Sequence, residues 1–568
     1  MLPVRRVARA IAATRGGAPG TRPPISALAR GFASSSDVSG EEVVDVCVVG
    51  GGVVGTAMAC LLRASPRTKH LSVTLVDRVL PPPASLLDAP PAVADARVSA
   101  LTPASVALLR RVGAWDRIAA ARARPFTAMQ VWDARAPGHV RYDASELGTD
   151  ALGHVVENRI VHAALAEAAS GLGVVAAAPS VVEGVEAGVS ADGPLAHRSL
   201  AVVTLRDAEE TPIDGTNTNT NTNTHGKSTK ENHQLSSSTE TRSTSTLRAR
   251  LVIGADGADS RVRRLAGLRA YGWSYGQKAA VGTVRLSRAS DVAWQRFLPD
   301  GPIAVLPATD DPYVANVVWT NAPAEADRIA ALDDENFARE VDAAFRGVGK
   351  YAFFSPSEKS SRDAFDSESP KESPKESPEE SPLWRRLERL VVSGVLEPLT
   401  KAGMRISEAT HRNGGLGAGV GLVGGAPFED PPAVLRAFGK RGAFPLATRV
   451  AGRHVSERLA LIGDAAHQVH PLGGQGVNLG LRDAALLQDV IEATVANGGD
   501  VGAASCLRLY EKKARAANAP MMAALDALQK LFAVDSAGAA WARGFGLAGI
   551  NAIGPLRREI ARYAMGGA

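Results

Sequence analysis

The sequence predicts an α/β fold: a Rossmann-type dinucleotide-binding domain, a β-sheet domain interleaved with it, and a helical C-terminal region. Three observations carry the prediction. A strand-like run, Val43-Val44-Asp45-Val46-Cys47-Val48-Val49, opens directly into Gly50-Gly51-Gly52-Val53-Val54-Gly55. Two later runs also end in a glycine and an acid, Leu251-Val252-Ile253-Gly254-Ala255-Asp256-Gly257 and Leu459-Ala460-Leu461-Ile462-Gly463-Asp464. Near-continuous apolar runs are typical of strands buried on both faces of a parallel sheet, and such sheets gather ligands at the carboxyl ends of their strands.

Taken in order, the chain begins with a basic leader. Arg5, Arg6, Arg9, Arg15, Arg22 and Arg30 precede the first acid, Asp37, in a segment rich in Ala and Ser, with Val4, Val7, Ala8 and Ile11 on one helical face. That composition predicts an organelle transit peptide over residues 1–36. Arg30-Gly31-Phe32 before Ala33-Ser34-Ser35 resembles a mitochondrial processing site, with cleavage after Phe32; import into a plastid is the alternative. Those six arginines also account for the basic balance, since without residues 1–32 the formal charge of +5 becomes −1. A nucleic-acid partner is therefore not expected. Cys47, Cys60 and Cys506 form no CxxC pair, which argues against a disulfide framework or a zinc site. The most apolar stretch, residues 43–62, is broken by Asp45 and four glycines, so no transmembrane helix is expected.

The first glycine motif satisfies G-x-G-x-x-G in the context that gives it meaning. Val54, Ala57, Met58, Leu61 and Leu62 recur at helical spacing, and a second strand, Leu71 to Val76, ends in Asp77, 22 residues after Gly55. Gly50 permits the tight turn, Gly52 lets backbone approach a pyrophosphate, and Gly55 lets helix and strand pack closely. The helix N-terminus then faces the phosphates, and Asp77 accepts from ribose hydroxyls.

Residues 208–247 carry a Thr/Asn repeat from Thr216 to Thr224 and then a Ser/Thr-rich tract, and residues 355–382 repeat Glu-Ser-Pro and Lys-Glu-Ser-Pro. Neither can bury enough apolar surface to offset its chain entropy, so both are read as disordered insertions. Between them the second motif continues to Arg263 as a strand, a sharp turn and a helix start. Residues 281–320, with apolar runs Ile303–Leu306 and Val314–Trp319, read as strands of a covering sheet. Gly414–Gly425 lacks a strand–helix frame and reads as a loop. The third motif continues through Ala465-Ala466-His467 to His470-Pro471-Leu472-Gly473-Gly474-Gln475-Gly476-Val477-Asn478, a glycine loop that can bring bare backbone against a flat ring. His467 and His470 have no Glu or Cys to complete a metal set, so no metal is assigned. Met521, Leu525, Leu528 and Phe532 form a helical stripe expected to pack on the dinucleotide domain. Beyond it, Trp541, Phe545, Leu547, Ile550 and Ile553 alternate with Arg557, Arg558 and Arg562 in a segment suited to a membrane surface.

Together the three motifs resemble the fingerprints of the para-hydroxybenzoate-hydroxylase-type FAD-binding flavin monooxygenases. Within that group the chain is most similar to the mitochondrial ubiquinone-biosynthesis ring hydroxylases. Arg97–Ser105, Val156–Arg159, Gln295–Pro302 and Asn518–Phe532 support the narrower match, and the similarity spans roughly residues 43–535 apart from the insertions. Asp77, Gly473 and Asp259 depart from the usual Glu, Ala and Asn. The resemblance implies that Gly50, Gly52 and Gly55 hold the FAD pyrophosphate, Asp77 the adenosine ribose and Asp464 the ribityl chain. Arg97 would reach the pyrophosphate, Asp256 would support its own motif, and Pro471, Gly474, Gln475, Gly476 and Asn478 would lie along the isoalloxazine.

The implied division is a leader (1–36), FAD-binding parts at 41–122, 151–270 and 453–500, substrate-domain parts at 123–150 and 271–452, and a helical region at 501–568. The implied reaction is hydroxylation, by FAD and O2, of a polyprenyl 4-hydroxybenzoate-type ring at carbon five. The expected location is the matrix side of the mitochondrial inner membrane, beside other ubiquinone-biosynthesis proteins. Ferredoxin with its NADPH-dependent reductase is the expected electron donor, with direct use of NAD(P)H as the alternative. An isoprenoid epoxidase and a non-catalytic flavin-bound subunit are the rival functions. No residue announces itself as the catalytic acid or base.

Overall fold

The computed structural model describes residues 42–189, 200–208, 244–352, 425–534 and 536–566. The leader, the tract from 355 to 382 and all of the Gly414–Gly425 loop except Gly425 lie outside those residues.

Two eight-stranded sheets organise the chain. In the first, the strand Glu42–Val49 is central, parallel to Thr244–Gly254 on one side and to Val73–Val76 on the other. Leu459–Leu461 extends the parallel set beyond Thr244–Gly254. The centre is dry for a sequence reason: Val46, Cys47, Val48, Leu251, Val252 and Ile253 point to both faces and all are buried. The helix Val53–Ala64 covers one face with Ala57, Met58, Leu61 and Leu62, the residues whose spacing predicts it. Because these strands run the same way, Gly50, Asp77, Ala255 and Gly463 all emerge at one edge of the sheet.

The second sheet has the order 467–468, 434–451, 270–286, 314–321, 301–307, 292–298, 128–133 and 139–143. Helices Pro323–Ala331 and Asp334–Arg346 close its far face over Trp132, Trp294, Ile303, Val317, Trp319, Phe337 and Phe345. The two-residue strand His467–Gln468 leaves the first sheet through residues 463–466 and pairs with Arg449 and Val450 of the second. The third motif therefore stitches the two sheets together.

Two expectations need correction. The polar tract read as reaching residue 247 ends earlier, because Thr244, Ser245 and Thr246 pair with Arg206, Leu205 and Thr204. These three residues form the exposed end of the strand, which tolerates threonine and serine, so polarity alone misplaced that boundary. Deleting residues 212–242 should consequently leave flavin content and melting temperature close to wild type. Deleting 212–246 should lower both by removing paired strand, and equal behaviour of the two deletions in a thermal melt would contradict this placement.

The second correction concerns the C-terminal helices Ala504–Ala533, Ala537–Ala552 and Gly554–Ala564. Met521, Leu525 and Phe532 pack on Leu472 and Leu479 of the dinucleotide part, as expected, but also on Val131, Val140 and Phe297 of the second sheet. Leu528 faces outward. Leu547 and Ile550 turn inward, and Arg557 is buried on Glu146 at 2.6 Å, so these three do not belong to an outer membrane-facing surface.

Candidate functional site

At the carboxyl edge of the first sheet, Gly50 crosses against the carbonyl of Ala255 at φ +107, and a Cβ on Gly55 would collide with the carbonyl of Gly50. Both positions need glycine for packing. Gly52 differs: it caps the helix Val53–Ala64, and a Cβ there meets nothing within 4 Å. The turn thus leaves a vacant cradle in front of a helix N-terminus, the arrangement that binds a phosphate. Asp77 stands beside it and accepts hydrogen bonds from Gly51 N–H and, at 2.8 Å, from Val79 N–H. Its carboxylate therefore shapes the turn as well as facing the ribose position. His162, from the helix Asn158–Gly171, is a neighbour that sequence reading missed; burial lowers its pKa, and the backbone of Gly51 and the charge of Asp77 oppose that. Arg97 lies apart, its side chain 64% exposed beside Asp95.

In the second motif, Asp256 Oδ2 accepts from Arg261 and Val262 N–H at 2.7 and 3.0 Å, which caps the short helix Arg261–Leu265. Its Oδ1 is buried without a partner. Arg263 turns inward and donates to the carbonyls of Ala258 and Ala465, each at 2.8 Å. The second motif thereby braces the third.

Gly463, at φ +59, turns the strand so that Asp464 projects into the cleft. This carboxylate has no hydrogen-bond partner among the described residues. It is open to solvent at the cleft mouth, yet ringed closely by protein, and that crowding raises its pKa; His467 opposes the shift and Asp483 adds to it. An acceptor so placed asks for hydroxyl donors from a ligand. Facing it is Gly476, whose added Cβ would lie 4.0 Å from Asp464 Oδ1. Pro471 opens the loop, Gly473 and Gly474 take positive φ, and Gln475 begins the helix Gln475–Ala496. Gly480 has no room for a Cβ, which would stand 2.6 Å from Val54 Cγ2. That contact lets the N-terminal turns of two helices converge on one cleft.

Asn478 is committed elsewhere. Its Nδ2 donates to the carbonyls of Ala100 (2.8 Å) and Gly474 (3.3 Å), and its Oδ1 accepts from Thr102 N–H and Ser105 Oγ. It ties the Ala100–Ser105 segment to the loop, so its influence on a bound ring passes through that segment. His470 is buried, and burial lowers its pKa to about 4, so it is neutral at physiological pH. The ring of Tyr275, from the second sheet, meets it edge-on at 4.9 Å.

Beneath Asp464 lies a cluster that sequence reading did not assemble. Asp483, fully buried, accepts from Gly463 N–H (2.9 Å), His467 Nε2 (2.6 Å) and Asn518 Nδ2 (2.7 Å). Burial works against charging His467, but the Asp483 carboxylate outweighs it and the net shift is upward. The available signal was an acid inside an apolar helical run, since a buried carboxylate requires partners. Asp483→Ala should cost about 3–5 kcal/mol by stranding His467 and Asn518. The loss should appear in a thermal melt and be largest below the ordinary pKa of histidine. Because the folded His467 pKa is raised, this contribution is complete there and fades as pH rises through the folded value. A melt unchanged at pH 6 would overturn the assignment.

The vacant cradle at Gly52, the unpartnered acceptors Asp464 Oδ1/Oδ2 and Asp256 Oδ1, and the glycine loop all fit a dinucleotide carrying a flat ring. Comparison with known proteins agrees. The FAD binding domain family matches residues 43–349 and 429–524. "Ubiquinone biosynthesis monooxygenase COQ6, mitochondrial" of Xenopus tropicalis is 33% identical over 93% of this chain and 94% of its own, and its Homo sapiens counterpart is 31% identical over 93% and 94%. The "3-demethoxyubiquinol 3-hydroxylase" of Escherichia coli (strain K12) is 29% identical over 92% and 98%. Among solved structures, p-nitrophenol 4-monooxygenase PnpA from Pseudomonas putida DLL-E4 has the same fold, with TM-score 0.55 at 17% identity over 93% of this chain and 99% of that one.

Proposed function

The chain belongs to the FAD binding domain family and is an FAD-dependent monooxygenase, and from that premise we propose that it hydroxylates the ring of a polyprenyl 4-hydroxybenzoate-type precursor at carbon five in ubiquinone biosynthesis. The observation that carries the reading is the unbroken arrangement from Gly463 to Gly480: strand end, unpartnered acid, bare loop and helix start, covered by a second sheet. Reduced flavin with O2 supplies the transferred oxygen atom. The chain's own residues do the rest. Gly50, Gly52 and Gly55 seat the pyrophosphate, which Arg97 also reaches, with Asp77 on the adenosine ribose and Asp256 supporting the turn. Asp464 holds the ribityl chain, and Pro471, Gly474, Gln475, Gly476 and Asn478 set the ring plane.

The second sheet excludes water from the ring. Tyr275 donates to Asp526 at 3.1 Å, and burial together with that carboxylate keeps it protonated, so it acts as a donor and not as a base. The division we infer follows the sheets: residues 41–122, 151–270 and 453–500 serve the cofactor, and 123–150 and 271–452 the substrate. Electrons come from ferredoxin with its NADPH-dependent reductase.

We place the protein in mitochondria, on the matrix side of the inner membrane, in company with other ubiquinone-biosynthesis proteins. Trp541, Phe545, Leu556, Ile560 and Tyr563 on the last two helices, and Ile553 between them, are exposed and support contact with lipid. Among the described residues no helix is long and apolar enough to cross a membrane. Residues 1–36 fused to a fluorescent protein should label mitochondria; plastid labelling would redirect the reading to an epoxidase.

The functional test is expression in cells deficient in this ubiquinone-synthesis step, with mass spectrometry of the accumulated precursors. Disappearance of the unhydroxylated prenyl phenol is expected. Its persistence alongside a fully flavin-loaded protein would refute the substrate class.

A further inference from the structure

A charged surface behind the flavin loop is not accounted for by cofactor binding or by the fold. Arg261, Arg264, Arg269, Arg449 and Arg453 are exposed, and Arg515 is half-exposed. They come together because the segments that carry them are joined. Gly452 N–H bonds to the carbonyl of Arg269 at 2.8 Å, Arg515 donates to the carbonyls of Ala451 and Gly452, and Arg449 pairs with Asp259 at 2.9 Å while Arg264 donates to the Asp259 carbonyl. Two carboxylates answer six guanidiniums: Asp259 on Arg449, and Glu511 on Arg515 at 3.0 Å. The carboxylate of Asp256 is turned onto backbone N–H groups. Arg261, Arg264, Arg269 and Arg453 have no ion-pair partner among the described residues. Tyr271, 64% exposed, stands at the Gly452 turn in the middle of them.

The position matters as much as the charge. Ala451 N–H bonds to the carbonyl of Ala466 and Arg263 donates to that of Ala465, so the surface backs directly onto the residues that follow Asp464. Reducing the flavin requires two electrons, yet among the described residues only Gly50–Gly55 sets a G-x-G-x-x-G between a strand and a helix, and FAD takes it; Gly544–Gly549 repeats the spacing inside a helix. We propose that this arginine surface is the docking face for an acidic electron-transfer protein. The proposal rests on the reading that a protein donor reduces the flavin. Two reduced donor molecules each give one electron, and the flavin takes up those two electrons with two protons from water. An acidic partner matches the uncompensated positive charge, arginine and tyrosine are the residue types that dominate binding at such faces, and a charged face of this kind accelerates encounter.

The test uses FAD-loaded protein and the triple variant R261E/R269E/R453E, none of whose side chains serves the flavin site. Flavin reduction is followed by stopped-flow with ferredoxin and its reductase, across ionic strength. At low salt the variant should be slower by about ten-fold or more. The wild-type rate should fall steeply with salt and the variant rate should hardly change, since screening acts on the charges removed. Reduction by dithionite and FAD content should be equal in both proteins. Equal ferredoxin rates in the two proteins would overturn the proposal. So would loss of binding to phosphatidylcholine–cardiolipin vesicles in the variant with ferredoxin rates intact, which would assign the face to lipid. Failure of ferredoxin to reduce even the wild type, with NADPH succeeding, would refute the donor reading itself and leave this surface without its partner.

Discussion

Gly52→Val is expected to purify as a folded, colourless protein. Gly52 sits at φ −69 in extended backbone, a conformation open to any residue, and a Cβ there touches nothing. The substitution therefore costs the fold little. What it fills is the space in front of the first turn of Val53–Ala64, where unpaired N–H groups face outward. A branched side chain there holds a pyrophosphate out of reach of those donors, and FAD affinity should fall by about 100-fold or more, roughly 2.7 kcal/mol. Gly55→Val makes the contrast, because its side chain would strike the Gly50 carbonyl and should unfold the domain. Circular dichroism with FAD titration separates the two cases. A yellow Gly52→Val protein with full FAD content would remove the pyrophosphate from this turn.

The second large effect is expected at Asp464. Asp464→Ala should keep its fold, since the carboxylate makes no hydrogen bond to the described protein, but should lose hydroxylation by about 100-fold or more. Misplacing a reacting group by about 1 Å is enough for a loss of that size. Without the acid the ribityl chain has no fixed acceptor, and the ring can tilt in the loop from Pro471 to Asn478. Asp464→Asn, which retains one acceptor oxygen, should recover part of the activity. Gln475→Leu should be milder, with FAD retained and more peroxide formed per electron consumed. The informative ratio is product formed per electron, measured with ferredoxin plus reductase and with NADPH alone. Wild-type coupling in Asp464→Ala would end its assignment to the ribityl chain.

Much of this architecture was legible because it rests on local pattern. A valine run, then glycines at fixed spacing, then helical periodicity specify strand, turn and helix within some twenty residues, and the parallel order of the central strands brings their ends to one edge. Less legible were features that depend on distant partners. Asp483 reads as one more charge on a helix until Gly463, His467 and Asn518 close around it. Asn478 looks like a ring contact by its place in the loop, yet its amide is drawn to Ala100, Thr102 and Ser105. Thr244–Thr246 look like filler because they form the exposed end of their strand, which does not need apolar residues. The C-terminal stripe at Met521, Leu525 and Phe532 announces a helix but cannot name the surface it covers.

The order in which these partners leave the ribosome has its own consequence. The central strand Glu42–Val49 is among the first described segments made, but its neighbour Thr244–Gly254 follows far later, and Leu459–Leu461 later still. Asp483 is not satisfied until Asn518 has arrived. Contacts separated so widely in sequence form slowly, and the early strand, paired to Val73–Val76 on one side, spends that interval with its other edge open. Cofactor capture is thus a late event, and a chain halted anywhere before Leu459 would leave an aggregation-prone incomplete sheet, not a weakly active enzyme.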